Sequence, residues 1–148
     1  MLNIDDIAPA FEARDQNDTA HSLSGLLASG PLVLYFYPAD FTPVCTREAC
    51  AFRDRFEDLN ALSVQVVGVS PQDARSHRRF ADAYSLPFPL LCDEGKKIIR
   101  SYGVDGPLGF GVRRVTFFIK SDGRIANRVV SDFFVGSHLD LIKKVLAT

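Results

Sequence analysis

The run Leu32-Val33-Leu34-Tyr35-Phe36-Tyr37-Pro38-Ala39-Asp40-Phe41-Thr42-Pro43-Val44-Cys45-Thr46-Arg47-Glu48-Ala49-Cys50 decides how this chain is read. Its first six residues are apolar and β-rich, which predicts a buried strand that stops at Pro38. A helical segment begins near Thr42, a residue suited to the N-cap, and Pro43 suits the first helical position. The spacing predicts a helix over 43–59. Cys45 then lies in the first turn of a helix, just past the end of a strand. Backbone N–H groups there lack helical partners, and the positive end of the helix dipole faces the side chain. Such a place favours thiolate over thiol, and the thiolate is the reactive species. A second thiol, Cys50, follows five residues on. The pair suggests a redox enzyme with an attacking and a resolving cysteine.

The rest of the composition narrows the class. A length of 148 residues predicts one domain over 1–148, and 47% hydrophobic content is enough for a core without disulfide or metal staples. A net charge of −1 argues against nucleic acid or an acidic membrane as the main partner. Arg75, His77, Arg78 and Arg79 form a small basic cluster that reads as a solvated helix face. The start, Met1-Leu2-Asn3-Ile4-Asp5-Asp6, is acidic and has neither the basic n-region nor the apolar core of a signal peptide. No apolar stretch approaches the ~18 residues of a membrane span. Three cysteines are an odd number, too few for a secreted disulfide framework. The cytoplasm is the expected compartment, and a disulfide there is usually transient and catalytic.

Outward from the opening run, the pattern gives a succession of elements. Residues 5–30 are turn-rich, with a weak hairpin pattern around Phe11-Glu12-Ala13 and Thr19-Ala20-His21. A second buried strand is expected over 64–69. A helix over 72–84 follows, opened by Ser70 as cap and Pro71 as first residue. Pro87 and Pro89 limit 88–91 to a short edge element, and 96–102 reads as a short helix. Strands over 115–120 and 124–130 flank the turn Ser121-Asp122-Gly123, and apolar residues at helical spacing predict a last helix over 137–146. The order β-α-β-α, then a hairpin, then α, implies parallel strands extended by an antiparallel pair. An α/β class with a mixed central sheet and helices on both faces follows, and it fits a thioredoxin-like fold.

The spacing Pro38-x-x-x-Thr42-x-x-Cys45 resembles the active-site pattern of the peroxiredoxins. The wider run 34–54 is similar to the bacterioferritin-comigratory, or peroxiredoxin Q, subgroup, and the similarity extends over nearly the whole chain. It includes Ala8-Pro9-Ala10-Phe11, Val67-Gly68-Val69-Ser70, Phe88-Pro89-Leu90-Leu91 and Arg114-Val115-Thr116-Phe117. The resemblance implies a thiol peroxidase acting on hydrogen peroxide and organic hydroperoxides. Cys45 would be the attacking thiolate, which becomes a sulfenic acid. Thr42 would offer a hydroxyl to peroxide and thiolate. Pro38, without an N–H, would wall the pocket. Arg114 would supply the positive charge beside the sulfur. Arg113 would point to the opposite face of its strand. Cys50 would resolve the sulfenic acid as an intramolecular disulfide, and a thioredoxin-type dithiol would reduce it. No metal, haem, flavin or other cofactor is called for.

Geometry adds a constraint to this scheme. Five residues along an ideal helix rise ~7.5 Å and turn ~140°, which puts the two Cα atoms roughly 8–9 Å apart. A disulfide needs less than about 7 Å. Cys45 and Cys50 can therefore join only after the first turns of the helix unwind.

Other groups are read more plainly. Glu48, three residues after Cys45, is either the partner of an arginine or an exposed helix carboxylate. Cys92 reads as a structural or incidental thiol, with a backup resolving thiol or a site of intermolecular disulfide as the alternative. His21, His77 and His138 show no ligand spacing with the cysteines and read as surface or satisfied core. Gly103, Gly106, Gly109 and Gly111 mark a flexible loop that leads to Arg114 and forms a wall of the entrance. Phe41, Phe110, Phe133 and Phe134 are expected in the core or pocket. Their exposure would instead support a redox-sensing or holdase-like binding protein with little turnover. A general thiol–disulfide oxidoreductase would carry Cys-x-x-Cys at the strand–helix turn, and this chain does not. The chain stops soon after its last helix, without the long arm of typical two-cysteine relatives. A monomer is the expected state, with a weak dimer as the alternative.

Overall fold

The strand at Leu32–Phe36 has no exposed residue, so it must be covered on both faces, and the architecture follows from how that is done. A computed structural model describes residues 1–147. In chain order the elements are β1 (Glu12–Arg14), β2 (Ala20–Ser22), α1 (Leu23–Leu27), β3 (Leu32–Phe36), α2 (Pro43–Asp54) and α3 (Phe56–Ala61). They continue with β4 (Gln65–Ser70), α4 (Ala74–Tyr84), β5 (Leu90–Cys92), α5 (Lys97–Ser101), β6 (Val115–Ile119), β7 (Ile125–Val130) and α6 (Val135–Leu146). The central sheet has the order β5-β4-β3-β6-β7. The strands β3, β4 and β5 are parallel, whereas β6 and β7 run antiparallel to their neighbours. This is the mixed α/β sheet that the element order implied, and β1 and β2 form a separate hairpin.

Alternation along β3 assigns the two cores. Leu32, Leu34 and Phe36 pack with Phe11, with Leu23 and Leu26 of α1, and with Ile98 and Ile99 of α5. Val33, Tyr35 and Tyr37 face the other way, onto Ala49 and Phe52 of α2, Leu59 of α3, Phe80 of α4 and Leu141 and Ile142 of α6. Cys45 belongs to this second core. The same alternation runs through β6, where Tyr35 pairs with Thr116. Continued one step before β6, it puts Arg114 on the α2 face and Arg113 on the other.

Several boundaries differ from the sequence reading. The helix expected over 43–59 is two helices, because Arg55 leaves helical geometry (φ −103°, ψ 1°). The helix expected from Gln72 begins at Ala74. Asp73 is its cap, with the carboxylate accepting from Ser76 N at 2.9 Å, while Ser70 ends β4. The edge strand is shifted to Leu90–Cys92, and α1 was not foreseen. His77 does not share the solvated face of Arg75, Arg78 and Arg79 but is fully buried. The aromatic residues expected inside are outside: Phe110, Phe133 and Phe134 are each more than 70% exposed, and Phe41 is half-exposed. No helix among the described residues is long and apolar enough to cross a membrane.

Gly68 on β4 shows how tightly the α2 face is packed. It pairs with Tyr35, and a Cβ at Gly68 would stand 2.9 Å from the Tyr35 ring and from Leu90 Cδ2. The glycine is the space into which the Tyr35 ring fits. Gly68→Ala should lower the unfolding free energy by about 1–3 kcal/mol through overpacking, measured by urea denaturation. An unchanged midpoint would show that the Tyr35 ring can move aside.

Candidate active site

The site is assembled where β3 hands over to α2. Pairing continues one residue past β3, with Tyr37 N donating to Val69 O at 3.1 Å, and half-buried Pro38 then ends it. Phe41 takes φ +64°, a conformation bulky side chains seldom adopt. Its ring packs against Phe80 and Tyr84, at centroid distances of 5.2 and 6.3 Å. Asp40 beside it is buried and held from three sides. The hydroxyls of Tyr37 and Ser76 donate to its carboxylate at 2.6 and 2.7 Å, and His77 Nδ1 lies 2.7 Å away. The other ring nitrogen of His77 is 3.0 Å from the Leu91 carbonyl. The loop entering α2 is thereby tied to α4 and β5.

Thr42 is the N-cap of α2 by backbone conformation, and its carbonyl accepts from Thr46 N at 2.9 Å. Its hydroxyl does not cap the helix; it donates to the Ala39 carbonyl at 3.1 Å. Pro43 takes the first helical position, as expected. Cys45 follows in the first turn with only 1% exposure.

Arg114 meets Cys45 from across the sheet. Nη2 donates to Cys45 Sγ at 3.1 Å, Nη1 donates to Glu48 Oε1 at 2.7 Å, and Nε donates to the Asp132 carbonyl at 3.2 Å. The three contacts use the fork of the guanidinium in three directions and fix its plane. Arg113 takes no part in this cluster. It forms a fork on the Asp132 carboxylate, with Nη2 at 2.8 Å and Nε at 3.0 Å from Oδ2. That hydrogen bond, first among several causes, holds the Asp132 carboxyl below its usual range. Asp132 Oδ1 also accepts from Arg114 N at 3.0 Å, so one carboxylate sets the backbone that presents Arg114.

Of the two readings of Glu48, the structure takes the buried one. The side chain is inaccessible, and burial pushes its carboxyl up to about 7, against the opposing pull of Arg114. Cys50 is half-buried on the same unbroken helix as Cys45, and all three cysteines are free. With α2 intact the two Cα atoms keep the helical separation of roughly 8–9 Å. Cys92 ends β5, and burial followed by the nearby Glu94 carboxylate pushes its thiol up to about 11. It lines a cavity of about 770 Å³ with Phe11 and Ile98, two residues of the opposite core. The glycine loop closes through a bridge between Asp105 and Val112, and Arg113 N donates to the Val104 carbonyl at 2.7 Å. Among the described residues no group of three or more His, Cys, Asp or Glu is placed to hold a metal ion.

The sequence reading named Cys45, Arg114, Thr42, Pro38 and Cys50, and the structure brings Cys45, Arg114 and Glu48 into contact. Asp132, Asp40 and His138 were missed. No spacing signal marks them, because each acts over a long sequence separation or from a loop.

Comparison with known proteins gives a consistent result. The profile of the AhpC/TSA family matches residues 4–128. A protein of Oryza sativa subsp. indica described as a putative chloroplastic peroxiredoxin Q is 42% identical over 141 residues, which cover 94% of this chain and 64% of that protein. The chain thus spans somewhat less than two thirds of that relative. The crystal structure of peroxidoxin BcpB from Mycobacterium tuberculosis superposes with a TM-score of 0.92 at 36% identity, covering 99% of this chain and 97% of that one. A structure of the bacterioferritin comigratory protein of Xanthomonas campestris, described through its alkyl peroxide reduction activity, superposes at 0.84 with 26% identity, covering 93% and 90%.

The arginine pair yields a directional expectation. Arg114→Ala removes the cation that touches Sγ and should slow alkylation of Cys45 by iodoacetamide at pH 7 about tenfold or more. Arg113→Ala disturbs only a half-exposed ion pair and should change the rate about twofold at most. Competition kinetics with mass-spectrometric detection of Cys45 would decide the matter, and a larger effect of Arg113→Ala would contradict the assigned roles.

Proposed function

The chain belongs to the AhpC/TSA family, in which it groups with the peroxiredoxin Q proteins, and from that premise we propose that it is a thiol-dependent peroxidase. The carrying observation is the contact of Arg114 with Cys45 Sγ at the start of a helix. A guanidinium and a helix N-terminus both favour the anionic sulfur, and both remain in place as negative charge moves onto a peroxide oxygen.

The reaction takes two steps. The Cys45 thiolate attacks the nearer oxygen of ROOH; the S–O bond forms as the O–O bond breaks, and RO⁻ leaves and takes up a proton. Sulfur is oxidised to sulfenic acid and the peroxide is reduced to ROH. The Cys50 thiol then attacks the sulfenic sulfur, a disulfide forms and water leaves. An external dithiol protein of the thioredoxin type returns the disulfide to two thiols. Hydrogen peroxide and small organic hydroperoxides are the substrates. Thr42, whose hydroxyl donates to Ala39, keeps its lone pairs free to accept from the peroxide. Pro38 screens the same opening. The sulfur atoms carry all the electrons, so the cycle requires no metal or organic cofactor.

Because Cys45 and Cys50 share one helix, each chain resolves its own sulfenic acid, and a monomer is sufficient. The second step demands that the first turns of α2 melt. The resulting disulfide is exposed to its reductant. We place this cycle in the cytoplasm, where dithiol donors keep cysteines reduced.

The exposed Leu108, Phe110, Phe133 and Phe134 favour a second reading, a redox-sensing binding protein. Catalytic turnover separates the two. Purified protein with thioredoxin, its reductase and NADPH should consume peroxide for many turnovers, and Cys45→Ser should abolish this. A single equivalent consumed and no more would support the sensor. Cys50→Ser should still react once with peroxide but lose recycling, and excess peroxide should drive Cys45 to sulfinic acid. Peptide mapping of the oxidised protein should find Cys45 linked to Cys50, with amides of 43–51 losing exchange protection. A Cys45–Cys92 link would refute the resolving step while leaving the peroxidase intact.

A further inference from the structure

Glu48 has one satisfied oxygen and one that is not. Oε1 receives Nη1 of Arg114, whereas Oε2 is buried and meets no hydrogen-bond partner. The ring of His138, on α6, faces it with Nδ1 at 3.6 Å, beyond hydrogen-bond range. Two neighbours fix the protons of that ring. Nε2 is 2.9 Å from the Ser131 carbonyl, which can only accept, so Nε2 carries the hydrogen. Nδ1 is 2.7 Å from Thr116 Oγ1, whose hydroxyl donates to it. Burial, the largest influence, holds His138 below its usual range and keeps the ring neutral. His138 therefore uses its Nδ1 lone pair on Thr116 and offers Oε2 no hydrogen. An anionic Glu48 is unsupported on this side, and leaving a charged oxygen unpaired in the interior costs more than leaving a neutral carboxyl so.

Other charged or titratable groups around the carboxyl do not reverse this. Arg114 approaches Oε1 and is shared with Cys45 of the same helix. Tyr35 reaches in from β3 with a buried, unpartnered hydroxyl whose ionisation burial suppresses. Asp132 acts on His138 from the loop before α6, and Arg113 occupies its carboxylate.

We propose that Glu48 is the proton-holding residue of the site: its carboxyl keeps the proton that Cys45 sheds on becoming thiolate and gives it up when peroxide consumes the thiolate. The two groups compete for one guanidinium. With Cys45 anionic, Arg114 has its counter-charge and Glu48 stays neutral. With Cys45 a neutral sulfenic acid, Arg114 is left to Glu48, which ionises. The two thus titrate as one unit rather than separately. Burial, which pushes Glu48 up to about 7, puts this exchange near neutral pH. The balance closes within the site: Cys45–S⁻ plus Glu48–COOH plus ROOH gives Cys45–SOH plus Glu48–COO⁻ plus ROH. The proton that Glu48 gives up equals the one the departing RO⁻ takes.

This inference deepens the peroxidase reading and rests on it for the oxidation step, but its first test does not. In a Cys50→Ser, Cys92→Ser background Cys45 is the sole thiol, and its alkylation by iodoacetamide can be followed against pH. Glu48→Gln keeps an acceptor for Arg114 and cannot ionise. It should give a single-proton curve, whereas the parent should give a broader, two-step curve. His138→Asn can turn an N–H toward Oε2 and support the anion. It should slow alkylation at pH 7 by about threefold or more, and adding Glu48→Gln should restore the rate. A defect of packing alone would not be rescued by a second substitution. Coincident curves for parent and Glu48→Gln overturn the proposal, and that comparison stands even if His138→Asn does not fold.

The second test adds one equivalent of peroxide at pH 7 and follows proton uptake with an indicator dye. The parent should take up far less than one proton per Cys45 oxidised, and Glu48→Gln about one. Infrared difference spectra should show a protonated carboxyl lost on oxidation in the parent and absent from Glu48→Gln. Full uptake by the parent overturns the proposal. If the alkylation curves differ as stated but mass spectrometry finds Cys45 unoxidised by peroxide, the peroxidase reading fails and the coupling of Glu48 to Cys45 stands.

Discussion

A single buried cation organises this molecule. The guanidinium of Arg114 reaches a sulfur, a carboxyl oxygen and a carbonyl contributed by α2 and by the loop before α6. Taking such a charge out of water costs several kcal/mol unless its partners are in place. The fold supplies those partners rigidly. The antiparallel register of β6 on β3 sets which side of the sheet Arg114 occupies, and Phe52 and Leu141 hold α2 and α6 on that same side. Asp132 then fixes the backbone at Arg114 and holds Arg113 by its side chain. A shift of β6 by one residue would turn Arg114 to the other face of the sheet, away from Cys45 and Glu48.

The local signals in the sequence were strong where chemistry and backbone coincide. The apolar run before Pro38 and the Thr42-Pro43 start locate the strand and the helix, and Cys45 falls where they meet. The resemblance picks out Arg114, and strand alternation then turns Arg113 to the other face. What stayed illegible has a common cause. Asp40 with His77, and Glu48 with His138, are polar groups buried by contacts between elements far apart in the chain. A pattern that scores His77 beside three arginines reads a charged face, because only the packed structure reveals that Asp40 and the Leu91 carbonyl await it. The turn at Arg55 has no breaker residue to announce it. The exposed rings at 110, 133 and 134 defeat the rule that large apolar residues are inside, as surface patches with a use often do.

The entrance to α2 is held firmly. Asp40 is bonded to Tyr37, Ser76 and His77, so the residues just before Thr42 stay with the sheet and α4. Phe41 keeps a positive φ between that anchor and the helix, and such conformations persist only where the surroundings enforce them. Past Arg55, Leu59 is locked in the core. The proposed melting of the first turns of α2 would therefore have a fixed point on each side.

The separation between the site's parts along the chain has a consequence for how the protein is made. Cys45 is followed by its cation only 69 residues later. At a synthesis rate of about 5–20 residues per second, the thiol waits roughly 3–14 s for Arg114 to be added. Until β6 can pair with β3, Cys45 has no guanidinium beside it. A nascent chain thus carries the thiol for seconds before the cation that will touch it exists. The contact between Arg114 and Cys45 is completed only once β6 has joined β3.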